Sequence, residues 1–251
     1  MRTANMIAAL LVGSLSVTGC GDDNEDSSAG TTAGTTAAPV ATSTAASSTT
    51  AASNTSATFR DSFDDDRNKW GVIDESEFGT IAYEGGDYVW AFKGSVAHWI
   101  PEVLGMQYDE GTLEMRNVVV KADATVDAGG GVVGIFCRET PDTDADYQWY
   151  EFVARNGFAA IRRADVEANI EVLAETDSVS LPIGEMISFE ASCVDDADGN
   201  VQLSFALNGS SVLQVTDDDP LGNGLSGLQA WTFPIHEEMD VRWHDFSIEP
   251  A

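Results

Sequence analysis

Two aromatic rings and a carboxylate alternate in the sequence YQWYE at residues 147–151. Side chains two residues apart on a β-strand point to the same side, so a strand here places Tyr147, Trp149 and Glu151 on one face. Flat rings pack against the apolar faces of sugar rings, and carboxylates accept hydrogen bonds from sugar hydroxyls. These residues therefore indicate a carbohydrate-binding surface, and Trp231, in a strand-like run of similar character, is a further candidate for it.

An ordinary role in folding is the competing interpretation of each of these residues. A tryptophan more often packs in a core than binds a ligand, and a strand carboxylate such as Glu151 is more often solvated or paired. Phe152 and Ala154, on the other side of the same strand, suit a core. Because an unpaired buried charge costs several kcal/mol, we expect the side with Trp149 and Glu151 to face solvent.

The sequence lacks the familiar motifs of hydrolytic catalysis. The segment HEEMD at residues 236–240 ends in aspartate, where a zinc-binding helix needs a second histidine. There is no Gly-x-Ser-x-Gly sequence, and the three histidines share no ligand spacing. Enzymatic activity is therefore left open, and a protein without its own catalysis is the favoured interpretation.

The N-terminal end has the pattern of an export signal. Arg2 precedes an apolar run of about 11 residues, which is too short to span a bilayer but suits a secretory signal. The run ends in VTGC at residues 17–20, which resembles the bacterial lipobox, where cleavage before the cysteine leaves an N-terminus that carries lipid. We predict a signal peptide at residues 1–19 and lipidation of Cys20, which would hold the protein at the cell membrane or cell surface. An ordinary signal peptide with an incidental cysteine is the alternative.

A low-complexity segment follows the predicted lipidation site. Residues 21–57 contain 26 Ala, Ser or Thr and no aromatic residue. Such a segment cannot bury enough apolar surface to offset the entropy of ordering it. We therefore assign residues 20–57 to a disordered tether and residues 58–251 to the folded domain. The net charge of −30 makes nucleic acid a poor partner.

The two remaining cysteines lie in strand-like runs of the domain. In an exported protein, two cysteines usually form a disulfide. Alternation places Cys137 on the same side as Val133 and Ile135, and Cys193 on the same side as Phe189. We therefore predict a Cys137–Cys193 disulfide between neighbouring strands in the core. Two free buried thiols are the alternative.

Short strand-like runs bounded by turn residues recur throughout the domain. Asn156-Gly157 and Asn208-Gly209 each separate two such runs, which is a strong signal for a β-hairpin. No amphipathic helical pattern of comparable length is present. The regular spacing predicts an all-β fold, an antiparallel two-sheet jelly-roll sandwich.

Several segments, taken in order, also resemble a known family. They are FRDSFD at 59–64, Trp70, GIFCR at 134–138, YQWYEF at 147–152, LSFALNG at 203–209 and DFSI at 245–248. Together they resemble the concanavalin A-like lectin/glucanase (LamG-like) jelly rolls, in particular the exported bacterial lipoproteins related to the 3-keto-disaccharide hydrolase domain. The resemblance covers about residues 58–250. It is far more specific to fold than to function, because this fold carries lectins, adhesion modules and hydrolases.

The resemblance also implies a metal site. Many jelly rolls of this kind hold a structural calcium near the joined terminal strands, which implies Asp61 or Asp64 beside Asp245 as ligands. Solvated acidic turns are the interpretation that the composition favours.

The glucanases of this fold carry their catalytic carboxylates in a Glu-x-Asp-x-x-Glu motif on one strand. This sequence contains no such motif. We therefore expect a lipid-anchored carbohydrate-binding or adhesion module that meets extracellular or cell-wall glycan. A glycoside-active hydrolase and a structural envelope protein are the alternatives.

Overall fold

The computed structural model describes residues 58–76, 79–93, 107–108, 111–112, 114–140, 147–165, 169–232 and 238–251. Within these ranges all regular secondary structure is β-strand. The strands are β1 (Phe59–Asp61), β2 (Ile73–Ser76), β3 (Gly79–Glu84), β4 (Asp87–Phe92), β5 (Gln107–Tyr108), β6 (Gly111–Thr112), β7 (Val118–Ala128), β8 (Val132–Glu139), β9 (Gln148–Arg155), β10 (Phe158–Asp165), β11 (Ile170–Thr176), β12 (Met186–Asp195), β13 (Val201–Leu207), β14 (Ser210–Asp217), β15 (Leu225–Trp231) and β16 (Met239–Pro250). The predicted signal peptide, Cys20 and the predicted tether lie outside the described residues.

Two antiparallel sheets make up the domain. The larger has nine strands in the order β14-β13-β12-β7-β16-β4-β3-β2, with β1 also paired to β16. The smaller has five strands in the order β11-β10-β9-β8-β15, and among the described strands β5 pairs with β6 alone. The sheets pack face to face, so the predicted all-β jelly-roll sandwich is confirmed.

The predicted hairpins form at both Asn-Gly sequences. Arg155 pairs with Phe158 across Asn156-Gly157, and Leu207 pairs with Ser210 across Asn208-Gly209. Asn208 and Gly209 have φ values of 50° and 72°, the left-handed conformation that a tight two-residue hairpin turn requires.

The core lies between the sheets and is built by strict alternation. In β12, Ile187, Phe189, Ala191 and Cys193 are buried while the residues between them are not. Rings from the two sheets meet there, since the ring centroids of Phe152 on β9 and Phe205 on β13 are 5.9 Å apart.

A disulfide joins the two sheets through this core. Cys137 of β8 and Cys193 of β12 are bonded, with their Cα atoms 6.8 Å apart, and both residues are fully buried. The predicted pairing is confirmed.

The last strand lies in the middle of the larger sheet. β16 pairs along one side with β7 and along the other with β4 and then β1, so both ends of the domain meet at one place. In the part of the chain that the structure describes, no helix has the length and apolar character needed to cross a membrane.

Candidate functional site

The side of the five-stranded sheet that points away from the core carries an unusual set of side chains. On β9, Tyr150, Phe152 and Ala154 belong to the main core, and strand alternation places Trp149 and Glu151 on the opposite side, although the Trp149 ring also packs with residues of that core. We call this opposite side the Glu151 face and define it by Trp149, Glu151, Arg162, Gln229 and Trp231.

The strand register brings these residues together. Glu151 lies between Phe136 of β8 and Arg162 of β10. Trp231 packs on the same face in a small apolar cluster, separate from the main core, with Val132, Val153 and Ala160.

The expectation that this face meets solvent is wrong. Trp149 is 3% exposed, Trp231 is 6% exposed and Glu151 is fully buried. The prediction treated Glu151 as an unpaired charge, but the adjacent strand supplies a cation. A paired carboxylate can be buried at much lower cost.

Arg162 is that cation. Its guanidinium Nη2 lies 2.6 Å from Glu151 Oε2, with side-chain exposures of 12% and 0%. On the other side of the carboxylate, Trp149 Nε1 donates to Glu151 Oε1 at 3.2 Å. Burial raises the pKa of the Glu151 carboxyl, and the charge of Arg162 and the bond from Trp149 only partly oppose that rise.

Arg162 also reaches Trp231. The guanidinium carbon lies 4.9 Å from the centroid of the Trp231 ring, which is a cation–π contact. β8 and β9 separate the two parent strands, so the contact spans about 14 Å of sheet, at about 4.8 Å for each strand spacing. Arg162 therefore lies on the ring that was predicted to bind ligand.

Polar atoms on the Glu151 face lack aligned hydrogen-bond partners. Gln229 is fully buried, and its Nε2 donates to the Ile135 carbonyl at 3.2 Å while its Oε1 accepts no hydrogen bond. Glu151 Oε2 and the Nε and Nη2 of Arg162 are likewise buried without an aligned hydrogen bond, although the pair is in ionic contact. Buried polar atoms of this kind are rare in folded proteins.

Tyr147 extends the row of rings beyond the strand. Its ring centroid lies 5.5 Å from that of Trp149, and its hydroxyl donates to the carboxylate of Glu139, which is buried. All four residues predicted to bind ligand thus belong to one connected group, in which Arg162 links Trp231 to Glu151 and Trp149 links Glu151 to Tyr147.

Sequence reasoning missed Arg162 and Gln229. The signal for Arg162 was present, because counting back equally on both sides of the Asn156-Gly157 turn pairs it with Glu151. Gln229 had no comparable signal, since its strand is distant in sequence from β8, its only neighbour in the five-stranded sheet.

The three candidate calcium ligands have other partners. Asp61 is buried and accepts hydrogen bonds from the Phe63 amide at 2.8 Å and from Trp70 Nε1 at 2.6 Å. Asp64 accepts from the Ser62 hydroxyl, and Asp245 forms an ion pair with Arg60 at 2.5 Å. Among the described residues, no group of three or more His, Cys, Asp or Glu is arranged to hold a metal. Calcium binding stays a prediction.

The architecture is an antiparallel two-sheet jelly-roll sandwich. No protein-family model matches the sequence, and no curated protein matches it significantly. Among solved structures, the chain is similar to a protein of unknown function with a galectin-like fold from Bacillus subtilis. The two share 15% identity over 77% of this chain and 95% of that one, with a TM-score of 0.55.

Two glucanases have similar folds. A prokaryotic β-1,3-1,4-glucanase (lichenase) from a mouse hindgut metagenome is 11% identical over 77% of this chain and 99% of its own, with a TM-score of 0.54. The Bacillus licheniformis β-glucanase is 10% identical over 78% of this chain and 100% of its own, with a TM-score of 0.51. Identities this low establish the fold.

Proposed function

We propose that the Glu151 face binds a neutral carbohydrate and that the protein is a lipid-anchored glycan-binding module. One observation carries this proposal: buried polar atoms without aligned partners share one sheet face with two tryptophan rings, which contact Arg162 and Glu151. Sugar hydroxyls both donate and accept hydrogen bonds, so they suit Gln229 Oε1 and the Arg162 nitrogens alike. The glucan-cleaving activity named for two proteins of similar fold is consistent with this ligand class.

The charge of the protein favours a neutral ligand over a polyanion. The chain carries a net charge of −30, which repels acidic polysaccharides at long range. The one cation of the Glu151 face is already paired with a carboxylate. A ligand carboxylate would therefore compete with Glu151 for Arg162, whereas a hydroxyl can bond to both members of the pair.

Ligand binding requires a local rearrangement. Arg162 lies over the Trp231 ring, so a sugar ring that stacks on that side of the indole must displace the guanidinium. The cation–π contact contributes about 0.5–2 kcal/mol, which a sugar–indole contact and new hydrogen bonds can offset.

Replacement of Gln229 by methionine tests the proposal. Q229M keeps the side-chain volume but removes the unpaired acceptor, so the full chain should bind neutral β-glucan and cell-wall oligosaccharides at least about tenfold more weakly. Q214M is the matched control, because Gln214 is exposed on β14 of the other sheet. Equal binding by the wild type and Q229M, or no binding by the wild type to a glycan array, would refute the proposal.

Lipid anchoring at Cys20 is the second part of the proposal. It rests on the apolar run and the small residues before Cys20. Replacing Cys20 with serine should abolish incorporation of labelled fatty acid and release the protein from membranes. Unchanged lipid labelling in the C20S variant would exclude this anchor.

Glycoside hydrolysis is the second candidate function, because two buried carboxylates are linked through two rings. Glu139 bonds to Tyr147, and Glu151, whose pKa is raised, bonds to Trp149. A raised carboxyl pKa suits a general acid. Reducing-sugar release from β-glucan by the wild type and none by E151Q would favour this function over binding alone.

A further inference from the structure

On the opposite side of the sandwich, three side chains form a hydrogen-bonded row that no part of the proposed function uses. Asp87, Thr125 and His244 come from β4, β7 and β16 and lie on the side of the nine-stranded sheet that faces away from the core. Alternation places them there, since Tyr88, Ala124 and Trp243, their chain neighbours, are fully buried. The row is half-buried.

The row has the connectivity of a nucleophile, a base and a carboxylate that orients the base. His244 Nδ1 lies 2.7 Å from Asp87 Oδ1, and His244 Nε2 lies 2.8 Å from Thr125 Oγ1. An ionised Asp87 accepts the Nδ1 proton, which leaves Nε2 free to accept the proton of the Thr125 hydroxyl. Such a row is recognised by its geometry rather than by its order in the sequence.

A cationic residue is the neighbour of Thr125 on the adjacent strand. Arg242 is directly opposite Thr125 in the pairing of β16 with β7. Its guanidinium is held by Asp87 at 3.2 Å and Asp127 at 3.4 Å. Directly opposite side chains on one sheet face have Cβ atoms about 5 Å apart, so the Arg242 and Thr125 side chains leave the sheet as neighbours. A guanidinium on this face can stabilise negative charge that develops on a bound substrate.

Exposed apolar side chains lie on the other side of the hydroxyl. Met186 is opposite Thr125 in the pairing of β12 with β7, and it is 62% exposed. Ile183, also 62% exposed, belongs to a turn that is fixed where the Gly184 amide donates to the Val126 carbonyl at 2.9 Å. These two side chains are the most exposed of the large hydrophobic residues in the described ranges.

We propose that Thr125 is the nucleophile of an esterase site that acts on esters of apolar carboxylic acids. The acyl group lies against Met186 and Ile183, and the carbonyl oxygen points toward Arg242. Thr125 Oγ1 forms a bond to the carbonyl carbon while its proton moves to His244 Nε2. The ester C–O bond then breaks, and the leaving alcohol takes that proton. Water, deprotonated by His244, finally attacks the acyl-threonine, which releases the acid and restores the hydroxyl.

The test uses the full chain and 4-nitrophenyl butyrate. The wild type should release 4-nitrophenol with an initial burst close to one equivalent, and the trapped protein should carry one butyryl group on Thr125 by peptide mass spectrometry. T125V and H244Q should lower the rate at least about a hundredfold, the usual contribution of a general base. T125S keeps a hydroxyl and should retain turnover.

T216V is the matched control. Thr216 is an exposed strand threonine of the same sheet whose hydroxyl donates to Gln202 rather than to a histidine. Its replacement should leave the rate unchanged. None of Asp87, Thr125 and His244 belongs to the Glu151 face, so failure of this site would leave the glycan proposal untouched. Turnover by T125V at the wild-type rate, with an unchanged melting temperature, or absence of acyl-Thr125 in the wild type would overturn the proposal and leave the row as a structural network.

Discussion

Arg162 touches two partners at once, the carboxylate of Glu151 and the ring of Trp231. Its guanidinium compensates the buried charge and covers the aromatic surface. The same side chain thereby lowers the cost of burying Glu151 and occupies the side of the Trp231 ring on which a sugar would stack. Variants at Arg162 consequently report on stability and on ligand access together, and the two effects have to be separated by a paired substitution.

Removal of Arg162 alone should strongly destabilise the protein, because it leaves Glu151 charged, buried and unpaired. R162M is expected to lower the free energy of unfolding by about 3–5 kcal/mol, whereas the double variant E151Q/R162M should recover most of that loss. Urea denaturation of the wild type, E151Q, R162M and the double variant measures the coupling. Additive effects of the two single substitutions would contradict a direct interaction.

The raised pKa of Glu151 predicts how its contribution to stability changes with pH. Burial raises this pKa above its ordinary value of 4.5, so the folded state binds the proton more tightly than the unfolded state does. The wild type should therefore lose stability relative to E151Q as the pH rises from about 4.5 through the raised pKa. Unfolding midpoints of both proteins between about pH 4 and 8 measure the difference, and a difference that does not vary with pH would contradict the shift.

Among the structural elements, hairpins were predictable and the order of strands was not. Alternating residues and Asn-Gly turns located β9, β10, β13 and β14, because both signals are local. The neighbours β8 and β15 are more than 80 residues apart in sequence, and no local pattern specifies that they pair. For this reason the link from Trp231 to Glu151 through Arg162 could not be predicted, although both tryptophans were candidates by residue type.

The Cys137–Cys193 disulfide connects one strand of each sheet, and its two cysteines are 56 residues apart in the sequence. Constraining the unfolded chain over that length should stabilise the domain by about 4 kcal/mol. The C137A/C193A variant should show this loss in urea denaturation, and reduction of the wild type should produce a similar one. Two thiols that react with iodoacetamide in the native, unreduced protein would disprove the bridge.

At the scale of the whole molecule, the sandwich presents two chemically different sides. The Glu151 face is lined with aromatic rings and a buried ion pair, whereas the outward side of the nine-stranded sheet carries Thr125, His244 and half-exposed charges. The core and the disulfide lie between them. Ligands could therefore occupy both sides at the same time without sharing a residue.

The central position of β16 has a consequence for when the domain can fold. The larger sheet has a gap between β7 and β4 until Met239–Pro250 is available, and β16 is the only partner of β1 among the described strands. A chain lacking residues 239–251 should therefore show no near-UV circular dichroism signal of packed tryptophans, whereas deletion of the 13 residues 31–43 should leave that signal intact. A native spectrum from the truncated chain would contradict this expectation. A nascent chain must thus wait until Met239–Pro250 has emerged from the ribosome before the sheet can close, so the strands made earlier cannot complete the fold while they are being synthesised.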